Sequence, residues 1–196
     1  MTPDPEWLNE LAERATDLVV PYRAYRDERY LVVKQECKAR SGDGTALRLA
    51  GQHAAVSEHL DGLLARADAA VLTAPGGEGD WNVAQALGHT IAAREGLILA
   101  AMLAAAGRWP ADAPTVVPGV AGPAGATAEA LRASLRRSQR FIERAAARIA
   151  GHESDRCGLQ HPLVGHFRCG GWLLFAGVHD LMHVEQLERL VVSEAA

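Results

Sequence analysis

Two histidines four residues apart, His179 and His183, have the types and spacing that most directly suggest chemistry. They lie in an apolar stretch, Trp172–Val191, which has the length and composition of a buried helix. Side chains at positions i and i+4 of a helix project from the same face, here a core face with Phe175. Neighbouring imidazoles in a core lose water and repel each other when charged, whereas a divalent metal binds both in the neutral form. The pair therefore indicates either a metal site or two core histidines that each bond to a carbonyl.

A third histidine, His89, lies in a helix predicted from Asn82 to about Ala106. Bundle cores build metal sites from facing side chains, and three protein nitrogens with an open position are the layout of a catalytic metal centre. No acidic residue shares this stripe, which disfavours a di-iron carboxylate site. Nitrogen donors suit zinc or nickel best and also allow iron or manganese. The residues around His89 are mostly small, and they leave space for a partner helix or a ligand: Gln85, Ala92, Ala93 and Gly96.

A fourth histidine, His53, interrupts a regular apolar seam where leucine would be expected. The seam alternates by four and three residues, as in bundle packing. His53 is interpreted either as a hydrogen-bonded core histidine or as a residue that lines a pocket, in which case it is the only candidate general base on a core seam. His59, at the edge of the seam, is predicted to be solvated. The members of the seam are Leu49, His53, Val56, Leu60, Leu63, Ala67 and Ala70.

The spacing of Cys157, His161, His166 and Cys169 matches a small zinc knuckle. The alternative is that His161 and His166 line the mouth of a pocket. The three cysteines, with Cys37, are an odd count without a paired framework. We therefore expect Cys157 and Cys169 to be neither bridged nor bound to a metal.

The remaining pattern predicts an all-α fold, because no glycine-rich phosphate loop and no strand-period segment appears. Residues 5–20 predict an amphipathic helix with an apolar stripe from Trp7 to Val19, and Pro21 predicts a break. Residues 22–40 predict a charged surface helix, and residues 41–44 a linker. The stripe must be buried, either against the chain's own bundle or against a second copy.

Four longer helices are expected to form a bundle. Asn82 and Gln85 make a capping box, and Thr127 caps a helix of about 128–150 that ends at Gly151. The other two helices are the seam around His53 and the C-terminal helix. Residues 107–126, rich in proline and glycine, predict a long crossover or lid, and residues 152–170 predict a loop into the last helix.

Length and composition exclude several classes of protein. A chain of 196 residues with 48% hydrophobic and 22% charged residues suits one globular domain. The net charge of -4 gives no reason to expect nucleic acid or an anionic membrane as a partner. Charges interrupt the apolar stretches, and no signal-like run opens the chain, so we expect a reduced, cytoplasmic protein.

Residues 80–89 (DWNVAQALGH) resemble the opening of the second helix in the DinB/YfiT-like family. His179-x3-His183 resembles the motif of that family's last helix. The segment that leads into this helix, with His161 and Trp172, is also similar to the family's. The resemblance covers about residues 45–192. It implies an up-down-down-up four-helix bundle, a divalent metal bound by His89, His179 and His183, and often a homodimer. Residues 1–40 lie outside it as an N-terminal helical extension.

The resemblance also implies a class of activity. Family members include thiol-dependent S-transferases and a mycothiol-dependent maleylpyruvate isomerase. Related domains of ergothioneine synthases carry H-x3-H-x-E, which His179, His183 and Glu185 match, but no oxygenase domain accompanies it within these residues. Glu185 should point away from the metal face and pair with Arg189.

We therefore expect a metal-dependent enzyme with a small-molecule substrate, in which the metal binds a low-molecular-weight thiol as thiolate. The alternatives are a hydrolase that uses metal-bound water and a non-enzymatic metal-binding or stress-response bundle.

Overall fold

The computed structural model describes residues 3–76, 80–113, 115–116 and 119–193, and only the backbone of residues 190–193. Within these ranges the chain forms eight helices and one two-stranded sheet. The elements are α1 (Glu6–Arg14), α2 (Thr16–Arg26), α3 (Tyr30–Arg40), α4 (Ala46–Arg66), α5 (Ala69–Thr73), α6 (Val83–Ala105), α7 (Ala128–Ile149), β1 (Arg156–His161), β2 (Gly165–Arg168) and α8 (Cys169–Ser193).

Four of these helices, α4, α6, α7 and α8, form the predicted bundle. Each packs against two neighbours, in the cyclic order α4, α7, α6 and α8. Side-chain contacts between the helices, some of them to backbone carbonyls, show that α4 runs parallel to α8 and antiparallel to α7, and that α6 runs antiparallel to α8. The contacts are His53–Leu173 and His59–Glu188 for α4 with α8, Gln139–Ala50 and Arg132–Asp61 for α4 with α7, and His89–His183 and Arg94–Asp180 for α6 with α8. The directions are up-down-down-up, which confirms the expected all-α bundle.

Local sequence signals position the starts of α6 and α7 as predicted. The Asn82 side chain accepts the Gln85 backbone N–H while the Gln85 side chain accepts the Asn82 N–H, which completes the capping box. The Thr127 hydroxyl accepts the backbone N–H of Ala130 at the start of α7. Gly151, just after α7, has a φ of +83°. Because glycine adopts this left-handed conformation without steric cost, α7 ends there.

The N-terminal helices depart from the prediction. The break falls at Ala15, and Pro21 lies inside α2. A tertiary contact accounts for part of this: the Gln52 side chain accepts the Asp17 N–H at 2.9 Å, and its amide donates to Asp17 Oδ2 at 2.6 Å. The segment 22–40 is likewise not one helix, because α2 continues to Arg26 and α3 begins at Tyr30.

The apolar stripe of the N-terminal helices is buried within the chain. Trp7, Leu11, Leu18 and Val19 are almost inaccessible, and the stripe packs on the bundle through α4 and α8. Because the stripe is already buried within one chain, its burial does not require a second copy of the protein. The homodimer remains a prediction that rests on the family resemblance, and the boundaries 1–40 and 45–192 likewise remain predictions.

Residues 152–170 contain a β-hairpin, so the prediction of a loop there was wrong. Strands β1 and β2 pair antiparallel, with Arg156 opposite Arg168. Burial alternates along β1, where Cys157 and Leu159 face inward. Gly158 interrupts that pattern in the sequence, and a Cβ at this position would lie 2.6 Å from Trp109 Nε1. A strand glycine at a close approach weakens the period-two signal by which a strand is found.

Helix α6 is long and apolar enough to cross a membrane by length and composition alone, although Arg94 and Glu95 interrupt it as expected. Most of its apolar segment is buried inside the chain, however, as in the core helix of a bundle. Its one buried charged residue, Arg94, is paired within the bundle.

Arg94 and Asp180 form an ion pair at the centre of the bundle. Arg94 Nη1 lies 3.1 Å from Asp180 Oδ2, and both side chains are fully buried. Arg94 also donates to Ser138 Oγ at 2.8 Å and to Ser57 Oγ at 3.1 Å. Burial by itself raises the pKa of Asp180, but the charge of Arg94 and the nearby His53 outweigh it, and the pKa lies below its ordinary value. The carboxylate is therefore ionised.

Replacement of Arg94 should test this arrangement. We expect Arg94→Met to lower the free energy of unfolding by about 3–5 kcal/mol, because it leaves the Asp180 carboxylate buried without its partner. Arg14→Met is the matched control, since it removes an exposed ion pair with Glu58 and should cost only about 0–1 kcal/mol. Urea titrations followed by circular dichroism measure both. Equal losses in the two variants would contradict the assigned role.

Candidate metal centre

Three histidines from two antiparallel helices meet in the bundle. His89 comes from α6, and His179 and His183 come from successive turns of α8. The ring centroids lie 5.5 Å apart for His89 and His179, 5.7 Å for His89 and His183, and 4.8 Å for His179 and His183. One nitrogen from each ring can be chosen so that all three lie within 4.8 Å of one another. Among the described residues this is the one group of three or more histidine, cysteine or acidic side chains with that geometry.

Two of the rings are oriented by oxygen acceptors. His89 Nδ1 lies 3.1 Å from the carbonyl oxygen of Val120, and His183 Nδ1 lies 2.9 Å from Gln186 Oε1. A carbonyl oxygen accepts only from a protonated nitrogen, so these contacts assign the proton to Nδ1 and leave the Nε2 lone pairs for a metal. Ligating histidines commonly have such an acceptor on the opposite nitrogen.

His179 provides a test of whether the site fits a cation. Burial, followed by the charge of neighbouring His183, lowers the pKa of His179 to about 3. The ring is therefore neutral at physiological pH, which is the form that binds metals. Its buried Nδ1 has no hydrogen-bond partner among the described residues. Because an unsatisfied buried polar atom is unfavourable, coordination through this ring would relieve a cost, and the three histidines fit a divalent metal.

The crossover between α6 and α7 covers the His89 side of the cluster. Besides the contact from Val120, Gly122 lies against Gly88 so closely that a Cβ on either would meet the other's backbone below 3 Å. The Trp81 ring also packs against His89, with centroids 5.0 Å apart. Of the small residues predicted to leave space near His89, Ala93 is buried and Ala92 is exposed, so these two do not line one surface. The small residue that admits a neighbour is Gly88.

His53 does not join the cluster. Its Nε2 lies 2.8 Å from the Leu173 carbonyl oxygen, and its Nδ1 lies 3.7 Å from Asp180 Oδ2. It is fully buried, which supports the interpretation as a hydrogen-bonded core histidine. His59, predicted to be solvated, instead contacts Glu188 Oε1 at 2.7 Å and packs against Trp7.

Acidic side chains near the histidines are engaged elsewhere. Glu185 accepts from Arg189 at 2.6 Å, as the i,i+4 spacing predicts, and also from the Tyr22 hydroxyl. Arg26 Nε lies 3.3 Å from the same carboxylate. Asp180, next to His179 in the sequence, is paired with Arg94. The donor set is therefore nitrogen only, which suits zinc or nickel.

Three residues around the site, Gln186, Arg94 and Val120, were not predicted from the sequence. Gln186 follows His183 by three residues, a spacing that places both on one helix face and that could have been noticed. Arg94 lies in an otherwise apolar segment, which signals a buried charge in need of a partner. Val120 contributes only its backbone carbonyl, for which no sequence signal exists.

The zinc knuckle is not supported by the geometry. Cys157 and Cys169 are free and buried, and with His161 and His166 they do not form a ligand group among the described residues. His161 packs edge-on against Phe175, and burial lowers its pKa. His166 is exposed on β2 and lines a cavity beside the hairpin, which agrees with the alternative interpretation for this residue.

Metal binding can be measured on the purified chain. We expect about one zinc or nickel ion per chain, and His179→Ala should weaken zinc binding at least about 100-fold because one of three donors is lost. His152→Ala is the control, since that ring is exposed and bonds to Asp155. Mass spectrometry of metal content and competition with a chelator measure both. Zinc retained by a His89→Ala, His179→Ala double variant and lost from Cys157→Ser would contradict this assignment.

The cysteines give a separate prediction. Burial raises the pKa of Cys169 to about 12 and also raises the pKa values of Cys37 and Cys157. Because the thiolate is the reactive form, native protein should react slowly with Ellman's reagent. All three thiols should react in denaturant without any reductant. A lower final count would show that two of them are bridged.

Comparison with known proteins agrees with this geometry. No curated protein and no solved structure gave a significant match. A family model described as the DinB superfamily matches residues 48–187, which begin in α4 and end in α8 and include all three clustered histidines. The match spans well over half of the 196 residues. The chain therefore belongs to the DinB superfamily.

Proposed function

We propose that this protein is a metal-dependent enzyme that transfers a low-molecular-weight thiol to an electrophilic small molecule. The observation that carries the proposal is the cluster of His89, His179 and His183, which offers nitrogen donors only. A divalent ion bound there would supply Lewis acidity that stabilises a thiolate at neutral pH. Zinc or nickel fits these donors best.

The surroundings favour thiol transfer over hydrolysis. A hydrolase of this kind is aided by a general base beside the attacking water. Among the described residues, however, Asp180 is paired with Arg94, Glu185 is bonded to Tyr22 and Arg189, and His53 is bonded to a backbone carbonyl. A thiol ionises much more readily than water and needs less help from a base. Thiol transfer therefore does not require any of these residues to act as a general base.

The reaction itself is a substitution or addition at carbon. The thiol gives up its proton to solvent, and its sulfur forms a bond to the electrophilic carbon. In a substitution, the leaving group departs with the electron pair of the broken bond. In an addition, the electron pair of the attacked π bond moves to the neighbouring atom, which takes up a proton from solvent. The chain's own part is to hold His89 and His183 through Val120 and Gln186, and to keep water from the His89 side with Trp81 and the crossover.

Space for a small molecule lies next to Gln186, although none of the three histidines lines it. A cleft of about 520 Å³ between the N-terminal helices and α8 is lined by Tyr22, Arg26, Met182 and Gln186, among others. Gln186 is the acceptor for His183, so the cleft and the histidines share a side chain. The volume suits a small organic molecule, and the mixed aromatic and charged lining suits a polar thiol or its electrophile. We therefore place the substrate in this cleft.

The deciding measurement is thiol-dependent turnover. Cysteine, glutathione, mycothiol and coenzyme A are each tested with monobromobimane and with maleylpyruvate, using zinc-loaded protein. With the cognate thiol, His179→Ala should lower kcat/KM at least about 100-fold, whereas the exposed-histidine control His152→Ala should not change it. Equal rates in the wild type and His179→Ala would contradict the proposal.

The same assays separate the alternatives. Turnover of an ester without any thiol, lost in His179→Ala, would identify a hydrolase. Zinc binding without turnover of any substrate would identify a non-enzymatic metal-binding bundle, in which the metal is structural.

A further inference from the structure

A second cavity, of about 540 Å³, lies between α3, the β-hairpin and the start of α8. Cys157, Phe167 and Gly171 form its buried floor. Gly171 precedes His179 by eight residues, which is about 12 Å along a helix axis. Phe175 lies in between, in ring contact with both Phe167 and His161. The cavity is thus separate from the histidine cluster, and neither the fold nor the proposed activity requires it.

Four permanent cations line this cavity in two like-charged pairs. Lys34 and Lys38 lie four residues apart on α3, and Arg156 lies directly opposite Arg168 in the hairpin. Like charges at i,i+4 of a helix, or opposite one another across two strands, destabilise the folded chain. An anion that entered the cavity would relieve the repulsion within both pairs.

No acidic side chain of the described residues neutralises these cations. None of the four has a carboxylate oxygen within 4.0 Å of its charged nitrogens, although most other arginines of α1–α3 are paired in this way. Arg168 donates to the backbone carbonyl of Ser154. Glu153 is the one acid in the lining, and its two oxygens accept the backbone N–H groups of Ala46 and Gly151. The lining therefore carries four cations and one buried carboxylate, in a chain with a net charge of -4.

We propose that this cavity binds a small organic polyanion, a molecule that carries a phosphate or several carboxylates. The cations at the rim would hold the anionic groups, and arginine is suited to bidentate contact with either group. Any apolar part would rest on Phe167. The volume is that of a typical small-molecule site and is too small for a folded partner. Because burial raises the pKa of Cys157, its thiol stays protonated, and the site binds its ligand without a covalent step.

Calorimetric titration of the full chain tests the proposal with inorganic pyrophosphate and with citrate, at constant ionic strength. We expect saturable binding of at least one of them at one site per chain. Lys34→Gln with Arg156→Gln should weaken it at least about tenfold, because each residue provides a charged hydrogen bond. The matched control is Arg144→Gln with Arg148→Gln, which removes the same charge from the exposed face of α7 and should change affinity less than about twofold.

The probe that binds, pyrophosphate or citrate, identifies the anionic group.

The side chains of Lys34, Arg156, Arg144 and Arg148 are all exposed, so their substitution should leave the helical circular dichroism and the zinc content unchanged. Lys38→Gln with Arg168→Gln is a second pair that should reproduce the loss. Absence of saturable binding, equal weakening in the control pair, or tighter binding of a DNA duplex lost in the same variants would overturn the proposal. None of these outcomes bears on the histidine cluster, which is assayed by zinc content.

Discussion

The ion pair between Arg94 and Asp180 is the interaction on which the bundle depends. The guanidinium of α6 is bonded to α8 through Asp180, to α7 through Ser138 and to α4 through Ser57. One side chain thus connects all four helices within a mainly apolar core. Separating two buried, paired charges is costly, because each then stays desolvated without its partner. The pair therefore favours the register in which Arg94 meets Asp180, Ser138 and Ser57.

The geometry of the histidine cluster depends on that register of the helices. Asp180 adjoins His179 in the sequence, and Arg94 lies five residues after His89, so the ion pair and the cluster join the same two helices. The antiparallel arrangement of α6 and α8 then brings His89 toward His179 and His183. Gln186 and the Val120 carbonyl orient the rings. A preorganised set of donors loses less conformational entropy on binding a metal than a flexible one does.

Helices α2 and α3, which lie outside the family match, provide one wall of each of the two cavities. Helices α1–α3 bury an apolar stripe on the bundle, and α2 supplies Tyr22 and Arg26 to the cleft beside His183. Helix α3 and the hairpin enclose the cationic cavity. The bundle contributes the three clustered histidines, and the N-terminal helices contribute side chains to each cavity.

Local sequence patterns were sufficient to predict much of this protein's secondary structure and of its histidine cluster. Helical periodicity placed the four bundle helices, capping residues such as Asn82 and Thr127 placed helix starts, and the i,i+4 spacing placed His179 and His183 on one face. The motifs around His89 and His183 also led to the family. Tertiary structure alone decided the rest, because it depends on residues far apart in the chain. Gln52 pairs with Asp17 where a continuous helix was predicted, Trp109 packs against the strand glycine Gly158, and the cations of α3 meet those of the hairpin. No local period encodes such contacts, since their energies exist only once the helices have packed.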